Sequence, residues 1–243
     1  MRIDVYNRKC GKQVHRKSKH NRRQIIMATK KTEVIEIRPI EIKKVTVRVV
    51  GDTPLIMHAW SEKAKRMMLE AQMGIAKGKK KEVKNPADDF IRSMYWLTPM
   101  PEDGTMESFE EAIANGARFG FPVTAFKQAA ISAAYRMGWA KDKMSMRGAF
   151  YIDSDENGMI EIHSDTPEMR EDMVKVGMGT ADIRYRGEFK NWYADLTISY
   201  NANGQYSLEN IVNIINAGGY VCGVGEWRPE RDGQNGMFHV QAF

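Results

Sequence analysis

From residue 34 onward the chain alternates between stretches of two periods, and their order predicts the fold. Val34 to Val50, VIEIRPIEIKKVTVRVV, alternates apolar and charged positions and is rich in β-branched residues. Val45, Val47 and Val49 fall on one side and Thr46, Arg48 and Val50 on the other, the pattern of a half-buried strand. Gly51 to Pro54 turns the chain. Leu55, Ile56 and Met57 then re-enter the core ahead of Ser61, which is placed to cap a helix over Glu62 to Met73. Asp88 to Leu97 predicts a short helix, and Pro99 to Gly104 a break. Phe119 to Met137, FGFPVTAFKQAAISAAYRM, predicts a long helix with Phe126, Ala130, Ile131 and Ala134 on one stripe and small residues for close packing.

Beyond this helix the period becomes two. GAFYID (148–153) and MIEIH (159–163) are joined by a polar loop ending in Asn157-Gly158, which predicts a hairpin. Ala181 to Phe189 and Trp192 to Tyr200 predict two more strands. Ser207, with Glu209 close behind, opens a helix whose apolar face is Ile211, Val212, Ile214 and Ile215; Ala217, Gly218 and Gly219 read as its C-cap. Met237 to Phe243 reads as a last strand. This order contains a β-α-β-β-α-β plan, so the expected class is α+β: a ferredoxin-like or RRM-like antiparallel sheet with helical insertions and a C-terminal glycine-rich loop.

Charge changes the picture at the N-terminus. The chain of 243 residues carries +6, but residues 1–26 hold nine Lys/Arg against Asp4, a surplus of eight that leaves residues 27–243 at −2. Two readings of residues 1–26 stand: a disordered basic arm that touches phosphates, or an upstream extension from a misassigned start, with Met27 as the natural one. Residues 27–243 are expected to form one α+β domain, with a mobile lysine-rich loop at 74–87 that contains Lys79, Lys80 and Lys81.

Few residues point to catalysis. Cys10 and Cys222 are far apart with no CxxC, giving neither a disulfide framework nor a zinc site, and a reducing intracellular setting fits them best. His58, His163 and His239 are isolated, without metal-ligand spacing. Asp52, Asp153, Asp155 and Glu156 are not singled out by spacing as a two-metal site. No catalytic role, cofactor or metal is expected. No apolar run approaches the roughly 20 residues of a membrane helix.

Two stretches carry candidate chemistry. In the first, Gly223, Gly225, Trp227, Arg228 and Arg231 form a glycine-rich loop whose amides and arginines could hold successive phosphates while Trp227 stacks on a base. The competing reading is a structural loop with its arginines paired to Glu226, Glu230 or Asp232. The second is the strand region of Arg184, Arg186, Lys190, Trp192 and Tyr193, where the two arginines share one face and rings lie nearby, as on single-strand binding surfaces. Its competing reading is a solvated sheet face. Arg136, Lys141, Lys143 and Arg147 form a further, less specific basic cluster.

The blocks GDTPLIMHAWSEKA, YRMGWAKDKMSMRGAFYID, VGMGTADIRYRGEF and VCGVGEWRPERDGQNGMFHV resemble an uncharacterised family from tailed bacteriophages. More distantly, a ferredoxin-like domain ending in helix, glycine-rich loop and strand is similar to the RAMP superfamily, the backbone subunits of CRISPR effector complexes. That resemblance implies RNA-backbone contact at Gly223, Gly225, Arg228, Gly233 and Gly236 and a basic loop at Lys79, Lys80 and Lys81; Glu226 and Glu230 depart from its pattern. Together these readings lead to an expected single-stranded DNA- or RNA-binding phage protein of the host cytoplasm, sequence-independent and homo-oligomeric along the strand. The alternatives are a phage assembly protein that uses the glycine loop for protein contacts, and a metal-dependent nuclease.

Overall fold

Val47 and Val49 are fully buried, and the strand that carries them, β1 (Ile42–Gly51), is central to the main sheet. A computed structural model of the chain describes residues 39–60, 62–75, 83–176 and 180–241, all in the unit that runs from Arg38 to Phe243. The elements after β1 are β2 (Leu55–Met57), α1 (Glu62–Gln72), α2 (Pro86–Arg92), α3 (Met106–Ala114), β3 (Phe119–Pro122), α4 (Val123–Arg136) and α5 (Lys143–Arg147). Then come β4 (Phe150–Ile152), β5 (Met159–Ile162), β6 (Glu168–Val176), β7 (Thr180–Phe189), β8 (Tyr193–Asn201), α6 (Leu208–Val221) and β9 (Phe238–Val240).

The main sheet has the order β4-β8-β1-β9, with every neighbouring pair antiparallel. β1 and β4 are joined through α4 but separated by β8, and β8 and β9 are joined through α6 but separated by β1. These two interleaved split β-α-β units are the ferredoxin-like plan. Period two sets the faces: Val47 and Val49 lie beside Leu196 and Ala194, all buried, while Arg48 pairs with Asp195 through two 2.8 Å hydrogen bonds on the open face. Phe126 of α4 meets the rings of Trp192 and Phe238 beneath the sheet. The fold is therefore α+β. Among the described residues no helix is long and apolar enough to cross a membrane.

Several elements differ from expectation. The Asn157-Gly158 turn forms, with Asp155 accepting from the amides of Asn157 and Met159, but its arms separate: β4 joins β8, and β5 joins β3. Phe119 to Pro122 is strand β3, and only from Val123 does the helix run. The strand β6 and helix α3 are additional. β6 and β7 form a hairpin that, with β2, makes a second sheet, so the strands of Arg184 and Trp192 are not paired with each other. The stretch 34–38, Ser61 and residues 76–82 of the lysine loop lie outside the described residues; at the end of that loop Asn85 caps α2.

Gly218 and Gly219 do not end α6; the helix continues through them to a C-cap at Cys222. Their role is proximity. A Cβ at 218 would come within 2.8 Å of the backbone nitrogen of Ala130 in α4, and one at 219 within 1.9 Å of the Phe238 carbonyl in β9.

Gly219→Ala is expected to destabilise the protein by about 2 kcal/mol, because overpacking against backbone outweighs a helix-propensity gain of about 1 kcal/mol. Gly148→Ala is the control, since Gly148 has right-handed backbone and open space around it. Denaturant unfolding of the two variants reads the difference, and equal midpoints would refute the contact.

Candidate nucleic-acid interface

The two stretches singled out in the sequence come together at one place. After Cys222 the chain turns at Gly223 (φ +64°) and folds onto the end of β2. The Glu226 amide donates to the Ile56 carbonyl at 3.0 Å, and the Gly236 amide to Pro54 at 2.8 Å. Within the loop the amides of Val224, Gly233 and Asn235 donate to Gly236, Arg228 and Trp227. A Cβ at Gly233 or Gly236 would sit 1.7 Å from a loop carbonyl. The glycines thus allow chain to pack on chain, and these amides are bonded inside the protein, which corrects the expectation of exposed amides held ready for phosphate.

What the loop presents outward is side chains. Trp227 has φ +52° and is 38% exposed, a left-handed backbone that a bulky residue adopts at a cost of about 1–2 kcal/mol. Arg231 is exposed, with no ion pair among the described residues. Arg228 donates to the Gly225 carbonyl at 2.9 Å and reaches the Glu230 carboxylate at 3.1 Å. Glu230 also holds Arg136 of α4, at 3.1 Å. Pairing of the loop arginines with its carboxylates is therefore real for Arg228.

The β6–β7 hairpin meets the loop from the other side. Its register places Arg170 beside Arg186 and Asp172 beside Arg184, all on one face. Arg184 pairs with Asp182 at 2.9 Å and is partly exposed. Arg186, expected on an exposed face with it, is 5% exposed; it contacts Asp172 at 3.0 Å and Glu226 at 3.7 Å, and its Nε has no partner. Burial opposes the charge on Asp172, but hydrogen bonds from Arg170 and Arg186 and the Arg170 charge outweigh it and lower its pKa. The Glu226 contact of Arg186 joins the loop to the arginine face of the hairpin next to Trp227.

Two further candidates are placed elsewhere. Trp192 is 1% exposed, its indole N–H donating to the Thr53 carbonyl at 2.8 Å, so it is a core residue with no face to offer a base. Lys190 pairs with Glu168 at 2.6 Å at the base of the hairpin. Lys79, Lys80 and Lys81 lie outside the described residues.

Between loop, β2 and α4 lies a cleft of about 200 Å³ lined by His58, Tyr95, Gln128, Glu226, Arg228 and Glu230. The His58 imidazole, 3.6 Å from the Glu226 carboxylate, holds that carboxyl below its ordinary range against burial, with Arg186 and Arg228 adding to the effect. Burial raises the Tyr95 hydroxyl, and the Glu226 charge adds to it. Sequence reasoning missed Arg170 and Asp172 altogether and gave Arg136 no specific role; the available signal was a charge on each side of an alternating stretch, EMREDMVKV.

No protein-family model matches the chain, and no curated protein matches it. Among solved structures the chain is similar to Cmr6 from Pyrococcus furiosus, at 10% identity and a TM-score of 0.32, with 84% of this chain and 100% of that one covered. A likeness at that score carries no argument about function, and the bacteriophage-family resemblance finds no support in these comparisons.

Proposed function

We propose that this chain binds single-stranded nucleic acid without sequence preference, across the face where the glycine loop meets the β6–β7 hairpin. The observation that carries the reading is Trp227, exposed on a left-handed backbone next to Glu226, whose carboxylate reaches Arg186 of the strand pair that also bears Arg170 and Arg184. An aromatic ring fixed beside guanidinium groups offers a stacking surface and cations for the flanking phosphates, the two parts of a sequence-tolerant single-strand site. Binding, and no catalysis, is the role assigned. A bacteriophage setting rests on the sequence resemblance alone.

Exposed apolar side chains favour a second reading, an assembly protein. Met67, Met68, Leu69 and Met73 on and after α1 are exposed, as are Trp139 and Tyr220 beside a groove between the ends of α4 and α6. Such faces serve contacts between copies or with other proteins. The two readings combine in a protein that self-associates along a strand, and sedimentation with and without oligonucleotide separates them.

Titration of a labelled oligothymidine across 50–200 mM salt is expected to show affinity that falls steeply with salt. Trp227→Ala should weaken binding by about 5- to 150-fold, the equivalent of about 1–3 kcal/mol of stacking. Arg184→Ala should lower the salt slope by about 0.7, the contribution of one phosphate contact on a single strand.

The same titration on a chain that starts at Met27 decides where binding resides. Retained binding is expected. Its loss would assign all affinity to residues 1–26, and magnesium-dependent cleavage of the oligonucleotide would replace binding by catalysis.

A further inference from the structure

Arg136, at the end of α4, and Arg228, in the glycine loop, converge on a single carboxylate. Glu230 Oε1 lies 3.1 Å from Arg136 Nη2, and Oε2 lies 3.1 Å from Arg228 Nη2 and 3.3 Å from its Nε. Two cations thus share one anion, which leaves the trio with a net positive charge. Among the described residues the other protein acceptor of Arg136 is the Cys222 sulfur, 3.7 Å from Nη1, a weak one. Other carboxylates do not fill the deficit, since Glu226 on the same cleft is engaged by His58 and Arg186. The cluster is reachable from solvent, with side-chain exposures of 42% for Arg136, 27% for Arg228 and 25% for Glu230.

We propose that Arg136 and Arg228 form a phosphate clamp, which the Glu230 side chain occupies in the free protein and a backbone phosphate of the bound strand takes over. Paired guanidinium forks match phosphate oxygens as they match a carboxylate, and phosphate carries more acceptors than a carboxylate for the two guanidiniums. Opening the clamp needs little rearrangement. Glu230 stands on a short surface turn, Pro229–Arg231, whose backbone is held by its amide bond to the Cys222 carbonyl, so only the side chain has to swing out. The exposed Arg231 on that turn and Lys143, which donates to Ser132 at 3.1 Å one helical turn before Arg136, add positive charge at the turn and against α4.

This inference rests on the nucleic-acid reading, and Glu230→Gln tests the two separately. Against labelled oligothymidine the variant should bind about fivefold more tightly than the natural chain, with a salt slope larger by about 0.7. Inorganic phosphate should raise its melting temperature more than it raises that of the natural chain. Unchanged or weaker oligonucleotide binding by a folded E230Q, while the natural chain binds, overturns the clamp and leaves the function standing. A phosphate-dependent stabilisation of E230Q with no oligonucleotide binding by either chain upholds the clamp and overturns the function. Arg136→Gln keeps the Arg228–Glu230 pair and serves should E230Q fail to fold: it should bind oligothymidine about threefold more weakly, and unchanged binding overturns the clamp.

Discussion

The position of α6 depends on a contact between backbones that only two missing side chains permit. Gly218 lies against α4 and Gly219 against the Phe238 carbonyl, so helix, helix and terminal strand approach closer than any Cβ allows. β9 pairs with β1 only at Val49 to Gly51, a short junction that could not hold a strand by hydrogen bonds alone. Its Phe238 ring, packed on Phe126 and Trp192, supplies burial at the same point. The glycine loop spans the gap between α6 and β9, and fixing both ends sets its location over β2 and beside the hairpin. The candidate interface inherits its geometry from this packing.

Charge in the site is organised locally, in exchangeable pairs. Asp172 serves Arg170 and Arg186, Glu226 serves Arg186 and His58, and Glu230 serves Arg228 and Arg136. The buried Arg186–Asp172 pair is weak evidence for stability, since desolvation offsets much of its attraction. Its effect is placement: with neither charge able to leave its partner buried, β6 and β7 keep one register, and the Glu226 contact of Arg186 ties that hairpin to the loop. The residues from 27 onward carry a net −2, so no long-range field draws a polyanion to them, and at physiological salt charges are screened beyond about 8 Å. On the proposed reading, affinity for phosphate comes from short contacts, in which a phosphate meets the exposed Arg231 or replaces a carboxylate.

The sheet plan was legible because its strands and helices bury one clean face. Val45, Val47 and Val49 alternate, and Ile211, Ile214 and Ile215 repeat as a helix does. β6 was illegible for the opposite reason: EMREDMVKV places Arg170 and Asp172 on one side and Glu171 and Lys175 on the other, so its pairing with β7 brings together ion pairs where a clean apolar face would be expected. The Asn157-Gly158 pair does form a turn, but the expected hairpin does not follow from it, because a turn does not determine which strands its arms join. In the site, period two did place Arg184 and Arg186 together. That one is buried and the other exposed depends on the cover of Glu226, more than thirty positions away in sequence, which no local pattern encodes. Gly218 and Gly219 look like a helix stop by composition, yet the same residues serve close packing when a partner backbone lies opposite.

The loop then acquires a different character from the one its composition implies. Glycine-rich sequence invites a picture of a pliable segment whose free amides fold around a ligand. Here the glycines permit contacts of loop with loop, and the amides of Val224, Glu226, Gly233, Asn235 and Gly236 are bonded to the protein. The amide of Asn235 bonds to the Trp227 carbonyl, and Gly233 packs over it, which together hold the left-handed conformation that Trp227 would otherwise abandon. A ring held in advance loses little freedom on binding, so more of its stacking energy appears as affinity. On the proposed function, recognition at this surface belongs to side chains projected from a rigid loop, and the preference is for single strands because only unpaired bases expose a face to that ring.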